Sequence, residues 1–273
     1  MRQHGGGRTR TSDPRPRLLL KVRARVTSRT HSTTLWRCLI AEYVGSLFLA
    51  AVVIGSGIAA QTLSPHAKGI ELFENAAATA AGLFVIILMF GAISGAHFNP
   101  VVSFVDAALN GISWTRAMWY CVTQILGCVS GAVVANLMFS RAVVSISTHA
   151  RATPAHAFSE VVATIGLIIL IFALHRTGRG SATPAAVGAY IGSAYFFTSS
   201  TSFANPAIAV GRMLSNSFAG IDPSSVPTFV GAEIVGGALA FLLIRVLYPE
   251  TTKDIHVREI AAEANPAVEP DPI

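Results

Sequence analysis

From about residue 39 onward, long apolar runs alternate with short polar breaks. The long runs cover about residues 39–60, 76–93, 117–139, 157–174, 183–197 and 229–247. Each predicts a membrane-spanning helix, because about 20 apolar residues at ~1.5 Å each cross a ~30 Å hydrocarbon core. Two further apolar stretches, 99–109 and 205–214, are too short to span. Both open with Asn-Pro: Asn99-Pro100-Val101 and Asn205-Pro206-Ala207. Asn is a preferred helix N-cap, and Pro is favoured at the first helical position, where its missing N–H costs nothing. Each Asn-Pro therefore predicts a helix start, and each helix covers about half the hydrocarbon thickness at ~1.5 Å per residue. A short helix in each half of an apolar chain points to a channel or transporter with broken helices at mid-depth.

The pattern repeats. Glu42 corresponds to Glu160, Asn99 to Asn205 and Gln124 to Glu233, at offsets of 118, 106 and 109 taken from their positions. This defines repeat 1 at about 36–140 and repeat 2 at about 157–248. Three full spans per repeat is an odd number, so the second repeat must be inverted in the membrane. The two half-helices then enter from opposite sides and meet at their N-termini.

Composition excludes a soluble protein. The 273 residues are 52% hydrophobic and 12% charged, against about 25% charge in soluble domains. The net charge of +6 comes from the N-terminal tail, since residues 1–37 hold ten Lys or Arg and one acid, Asp13. The remainder sums to −3 (ten basic, thirteen acidic). Nucleic-acid binding is therefore not indicated. Residues 1–35 read as a disordered basic tail, or a start-site artefact, because nothing in them is patterned for packing. Residues 249–273 read as a proline- and acid-rich disordered tail. Cys38, Cys121 and Cys128 read as small hydrophobes, and no metal-ligand spacing, cofactor motif or catalytic constellation is present. Six spans place both termini on one side. The basic N-terminal tail and the Arg176/Arg179 loop make that side cytoplasmic, although Arg141 and Arg151 lie opposite.

Glu42 and Glu160 sit within spans, where a carboxylate is costly. Their expected role, with His97, is to brace the loops that lead into the half-helices. Asn99 and Asn205 are expected to cap the half-helices and to offer side-chain N–H groups to solute. Arg212 lies four residues after Ile208 on one helix face. It is expected either at the outer mouth or snorkelling to the interface.

Ala41-Glu42, the stretch Ser94 to Val101, Gln124 with Gly127, Glu160 and Asn205-Pro206-Ala207 together resemble the major intrinsic protein family, the aquaporins and aquaglyceroporins. The resemblance covers about 36–248. It implies an all-α fold of six transmembrane helices plus two half-helices and a homotetramer in the inner (plasma) membrane. It also implies a passive channel for water and small neutral solutes. Two departures stand out: Val101 follows the first Asn-Pro, and Ile208 stands where an Arg usually follows the second motif. Ungapped counting from the family pattern gives a constriction of Thr79, Ser193, Ser202 and Ile208. Such a ring is small and uncharged, which implies passage of glycerol-like polyols and undissociated metalloid acids such as arsenite. A secondary transporter with inverted repeats and a non-conducting scaffold are the alternatives.

Overall fold

The computed structural model describes Met1 and residues 34–249. Helix starts follow the capping rules. The side chain of Asn99 accepts from the Val101 N–H, Ser113 from Arg116, Thr153 from His156, and Asn205 from Ala207 and Ile208. Eight α-helices result among the described residues: α1 (Leu35–Leu63), α2 (Lys68–Ser94), α3 (Pro100–Ala108), α4 (Trp114–Met138), α5 (Pro154–Arg176), α6 (Thr183–Phe197), α7 (Pro206–Arg212) and α8 (Val226–Leu247). No strand occurs among the described residues. Most of the two tails expected to be disordered lies outside them.

Among the described residues, five helices are long and apolar enough to cross a bilayer. The sixth, α6, has 15 residues, or about 22 Å of rise. It is extended by a 3-10 turn at Gly180–Ala182 and an irregular segment after Phe197. Helices α3 and α7 have 9 and 7 residues; these are the half-helices.

The repeat is visible in the packing. In the first half α1 packs on α2 and α4, and in the second α5 packs on α6 and α8. Helix α2 lies against α6, joining the halves, while α3 and α7 each touch both α4 and α8. Close approach depends on glycine at matching positions. A Cβ on Gly127 would meet the Tyr43 carbonyl of α1 at 2.4 Å, and one on Gly236 would meet the Val161 carbonyl of α5 at 2.8 Å. Small residues that let helix backbones approach are a packing device of membrane proteins.

The polarity is inverted relative to a soluble protein. Phe73, Phe84, Leu88, Leu242 and Val246 are exposed, while Glu42, Gln124, Glu160 and Glu233 are fully buried. An apolar exterior around a polar interior suits lipid as solvent.

Candidate pore and its constriction

Two irregular segments, Gly95–Asn99 and 198–205, lead from α2 and α6 back to the centre of the bundle. Their backbones match residue for residue. Ala96 and Phe98 have φ of 53° and 50°, and Ser202 and Ala204 have φ of 50° and 47°. These are the positions three and one before each Asn. Non-glycine residues in this region cost about 1–3 kcal/mol each unless their surroundings hold them there. The surroundings here are the buried carboxylates. Glu42 Oε1 accepts from the His97 N–H at 3.0 Å, and Oε2 accepts from the Phe98 N–H at 2.7 Å. Glu160 accepts from the Phe203 and Ala204 N–H groups at 2.9 and 2.7 Å. In both loops these N–H groups lie two and one residues before the Asn.

The loops also hold each other. Asn99 Nδ2 donates to the Ala204 carbonyl at 2.6 Å, and Asn205 Nδ2 donates to the Phe98 carbonyl at 2.8 Å. Each Asn thus spends its Oδ1 on its own helix and one N–H on the opposite loop. A primary amide carries a second N–H, and among the described residues that donor has no partner in either Asn. Both residues line a cavity of about 800 Å³. Pro100, Val101, Pro206 and Ala207 are buried beside them.

The cavity runs lengthwise through the bundle. Its apolar wall consists of helix faces at four-residue spacing: Thr79, Leu83 and Ile87 on α2, Leu167 and Ile171 on α5, and Val187, Ile191 and Tyr195 on α6. Its polar side comprises the two loops and the Asn amides. At one end stand Asp106, His175 and Arg176, and at the other Thr79, Tyr195, Ser202 and Arg212. His97 lies near the Asp106 end, with Nδ1 3.0 Å from Ser103 Oγ and Nε2 3.5 Å from Asp106 Oδ2. Its ring meets Tyr120 edge-on.

At the Arg212 end, Thr79 Oγ1 and Tyr195 Oη lie 3.2 Å apart. Ser202 Oγ is buried with no hydrogen-bond partner among the described residues. Ile208 lines the cavity and is 4% exposed. Arg212 is 2% exposed, so it does not snorkel. Its Nε donates to the Ala219 carbonyl, and its guanidinium carbon sits 3.5 Å from the centre of the Phe203 ring. The loop 140–153 crosses this end. Ser145 and Ser147 N–H donate to the Leu214 and Met213 carbonyls just beyond α7, and Arg151 reaches the Gly220 and Phe218 carbonyls.

The chain matches the family description "Major intrinsic protein" over residues 29–203. It is 43% identical over 211 residues to an aquaglyceroporin, AqpS, of Rhizobium meliloti (strain 1021), covering 77% of this chain and 89% of that relative. The chain belongs to the major intrinsic protein family. It is a passive membrane channel for water and small neutral solutes, not an enzyme. A probable aquaporin, TIP2-2, of Oryza sativa subsp. japonica is 28% identical over 77% of this chain and 86% of the relative. The crystal structure of an aquaglyceroporin from Plasmodium falciparum shares the fold, with a TM-score of 0.60 at 18% identity, covering 77% of this chain and 96% of that one.

One sequence-derived position of this major intrinsic protein is corrected. Ser193 does not face the cavity: it is exposed, and its hydroxyl donates to the Tyr190 carbonyl of its own helix. The lining positions of α6 are 183, 187, 191 and 195. Two residues rotate an α-helix by about 200°, so the ungapped count placed the ring on the opposite face. Tyr195, two residues on, lines the cavity instead. The four-residue stripe through Thr183, Val187 and Ile191 is the sequence signal that would have found it. Glu233 was also missed as a loop-holding residue. Its Oε1 accepts from the Asn205 N–H at 2.9 Å, and its pairing with Gln124 in the repeat was the clue.

Proposed function

We propose that the solute-selecting ring of this channel is Thr79, Tyr195, Ser202 and Ile208, and that it passes glycerol-like polyols and undissociated metalloid acids such as arsenous acid as well as water. The observation that carries this reading is Ile208. It lines the cavity directly after the second Asn-Pro-Ala, where it supplies neither charge nor hydrogen-bond donors. The nearest cation along α7 is Arg212, one turn on, tied to Phe203 and Ala219. An apolar wall facing a strip of carbonyls and amides suits a solute with both C–H and O–H faces. At the centre, the spare N–H groups of Asn99 and Asn205 bind the passing solute. The converging N-termini of α3 and α7 repel cations and disfavour proton conduction. Glu42, Glu160 and His97 hold the loops in place, and Arg212 forms the next layer toward the outer mouth.

We further read the channel as a homotetramer of the inner (plasma) membrane, with both termini cytoplasmic. The charge asymmetry of the segments supports that orientation, and family membership supports the tetramer. The deciding experiment is purified protein in liposomes, with swelling measured in water, glycerol and arsenous acid gradients. All three should enter faster than in protein-free vesicles, in proportion to the gradient. Saturating, ion-coupled uptake would favour a transporter, and no permeability at all would favour a scaffold.

A further inference from the structure

The cavity end at Ile208 is rich in hydrogen-bond donors and holds a cation without a counter-ion. Among the described residues that line this end, Arg212 alone is charged. It is buried, yet no Asp or Glu lies within ion-pair distance of it among the described residues. The buried carboxylates of this half, Glu160 and Glu233, face the backbone N–H groups of Phe203, Ala204 and Asn205. Arg212 Nε donates to the Ala219 carbonyl, and the guanidinium lies on the Phe203 ring. Neither of its Nη groups has a hydrogen-bond partner among the described residues, and neither is sealed off from the cavity. A second guanidinium shares this surrounding. Arg151 holds the Phe218 and Gly220 carbonyls, on either side of Ala219, and sits 5.6 Å from the centre of the same Phe203 ring. Carbonyl oxygens, not carboxylates, are the acceptors of both. Two hydroxyl donors complete the end. Ser202 Oγ is buried and unpartnered among the described residues. Thr79 and Tyr195 share one hydrogen bond, so one of their two protons is left over. A buried charge is ordinarily paired. Two free N–H groups on one planar guanidinium match two oxygens of an oxyanion, a match that a spherical halide cannot make.

We propose that the two Nη groups of Arg212, with the Ser202 hydroxyl, form a binding site for a small oxyanion, a carboxylate or inorganic phosphate, that sits in the pore beside Ile208 and obstructs neutral solutes. Arg151 adds positive potential without touching the anion. The proposal rests on the proposed function only for what the bound anion obstructs, so binding and flux are read separately.

The binding test is isothermal titration of the full-length channel in detergent at fixed pH and ionic strength. The probes are sodium formate, sodium phosphate and sodium chloride. Formate or phosphate should give a saturable signal and chloride none. Formate alone would assign a planar carboxylate site, and phosphate alone a tetrahedral one. Arg212→Lys keeps the charge but loses the fork, and should weaken binding by about tenfold. Ser202→Ala should weaken it by about threefold. The flux test uses strongly buffered liposomes with the bound anion equal on both sides. Glycerol permeability of the wild type should fall severalfold as the anion saturates, and Ser202→Ala should need more anion for the same fall. No saturable binding of either oxyanion, or chloride binding equally well, would overturn the proposal. So would affinities unchanged in both variants. Binding that leaves a measurable glycerol flux untouched would overturn the placement of the anion in the pore.

Discussion

In the first loop one carboxylate, Glu42, is surrounded by donors: two backbone N–H groups, the Ser94 hydroxyl at 2.5 Å and the Gln124 amide. In the second loop Glu160 accepts two backbone N–H groups, and a second buried carboxyl group, Glu233, accepts the next one, from Asn205. The backbone outcome is the same in both, with left-handed residues at matching positions and an Asn amide crossing to the opposite loop. The difference teaches that the pore centre depends on the pattern of donors and acceptors behind each loop, not on the residue type that supplies it. It also separates the two ends of the channel. The first half-helix leads to a cavity end lined by Asp106, His175 and Arg176, and the second to one lined by Ile208 and a stacked Arg212.

Removing a brace outright should have the largest effect. Glu42→Ala leaves the backbone N–H groups of His97 and Phe98 and the Ser94 hydroxyl without their acceptor. Each orphaned donor costs about 1–3 kcal/mol, so the variant should lose most of its folded yield and melt well below wild type in detergent. A thermal-shift measurement with no change would show that the brace contributes nothing. Next comes the pore centre. Asp caps helices as well as Asn does, so Asn99→Asp and Asn205→Asp should fold. Each nevertheless replaces the donor to the opposite carbonyl with an acceptor, and solute flux should fall by about tenfold. The two losses should agree within about twofold if the loops are equivalent. Unequal losses in stopped-flow assays would break the symmetry of the comparison.

The extent to which this was readable from sequence follows the same division. Long apolar runs fix the spans, and Asn-Pro fixes where α3 and α7 begin, because capping is local chemistry. Which face of α6 lines the cavity was not readable by counting, because a two-residue error exchanges Ser193 for Tyr195 on nearly opposite faces of the helix. The left-handed backbone at Ala96, Phe98, Ser202 and Ala204 was not readable either. Nothing in those side chains favours it, and distant carboxylates impose it. The bond from the Asn205 N–H to Glu233 ties the second loop to α8 and becomes apparent only in space.

Smaller effects sharpen the contrast between the ends. Arg212→Gln removes the cation stacked on Phe203 while keeping a donor for the Ala219 carbonyl. Glycerol permeability should change by about threefold, measured against water permeability in the same vesicles. An unchanged ratio would remove Arg212 from the selecting layer. Gln124→Glu replaces the amide that donates to Glu42 and Ser103 with a carboxyl group. If that donor helps to hold the first loop, glycerol flux should fall by several-fold. A flux within about twofold of wild type would mean that the backbone N–H groups and Ser94 suffice to hold Glu42.

The claim that most depends on this structure is that the constriction is uncharged at Ile208. Ile208→Arg places a long cation beside Thr79, Tyr195 and Ser202, one turn from Arg212. In liposomes the ratio of glycerol and arsenous acid permeability to water permeability should fall by about tenfold relative to wild type, which requires only ~1.4 kcal/mol of added barrier. A correctly folded Ile208→Arg channel with the wild-type ratio would contradict the assignment of Ile208 to the selecting ring.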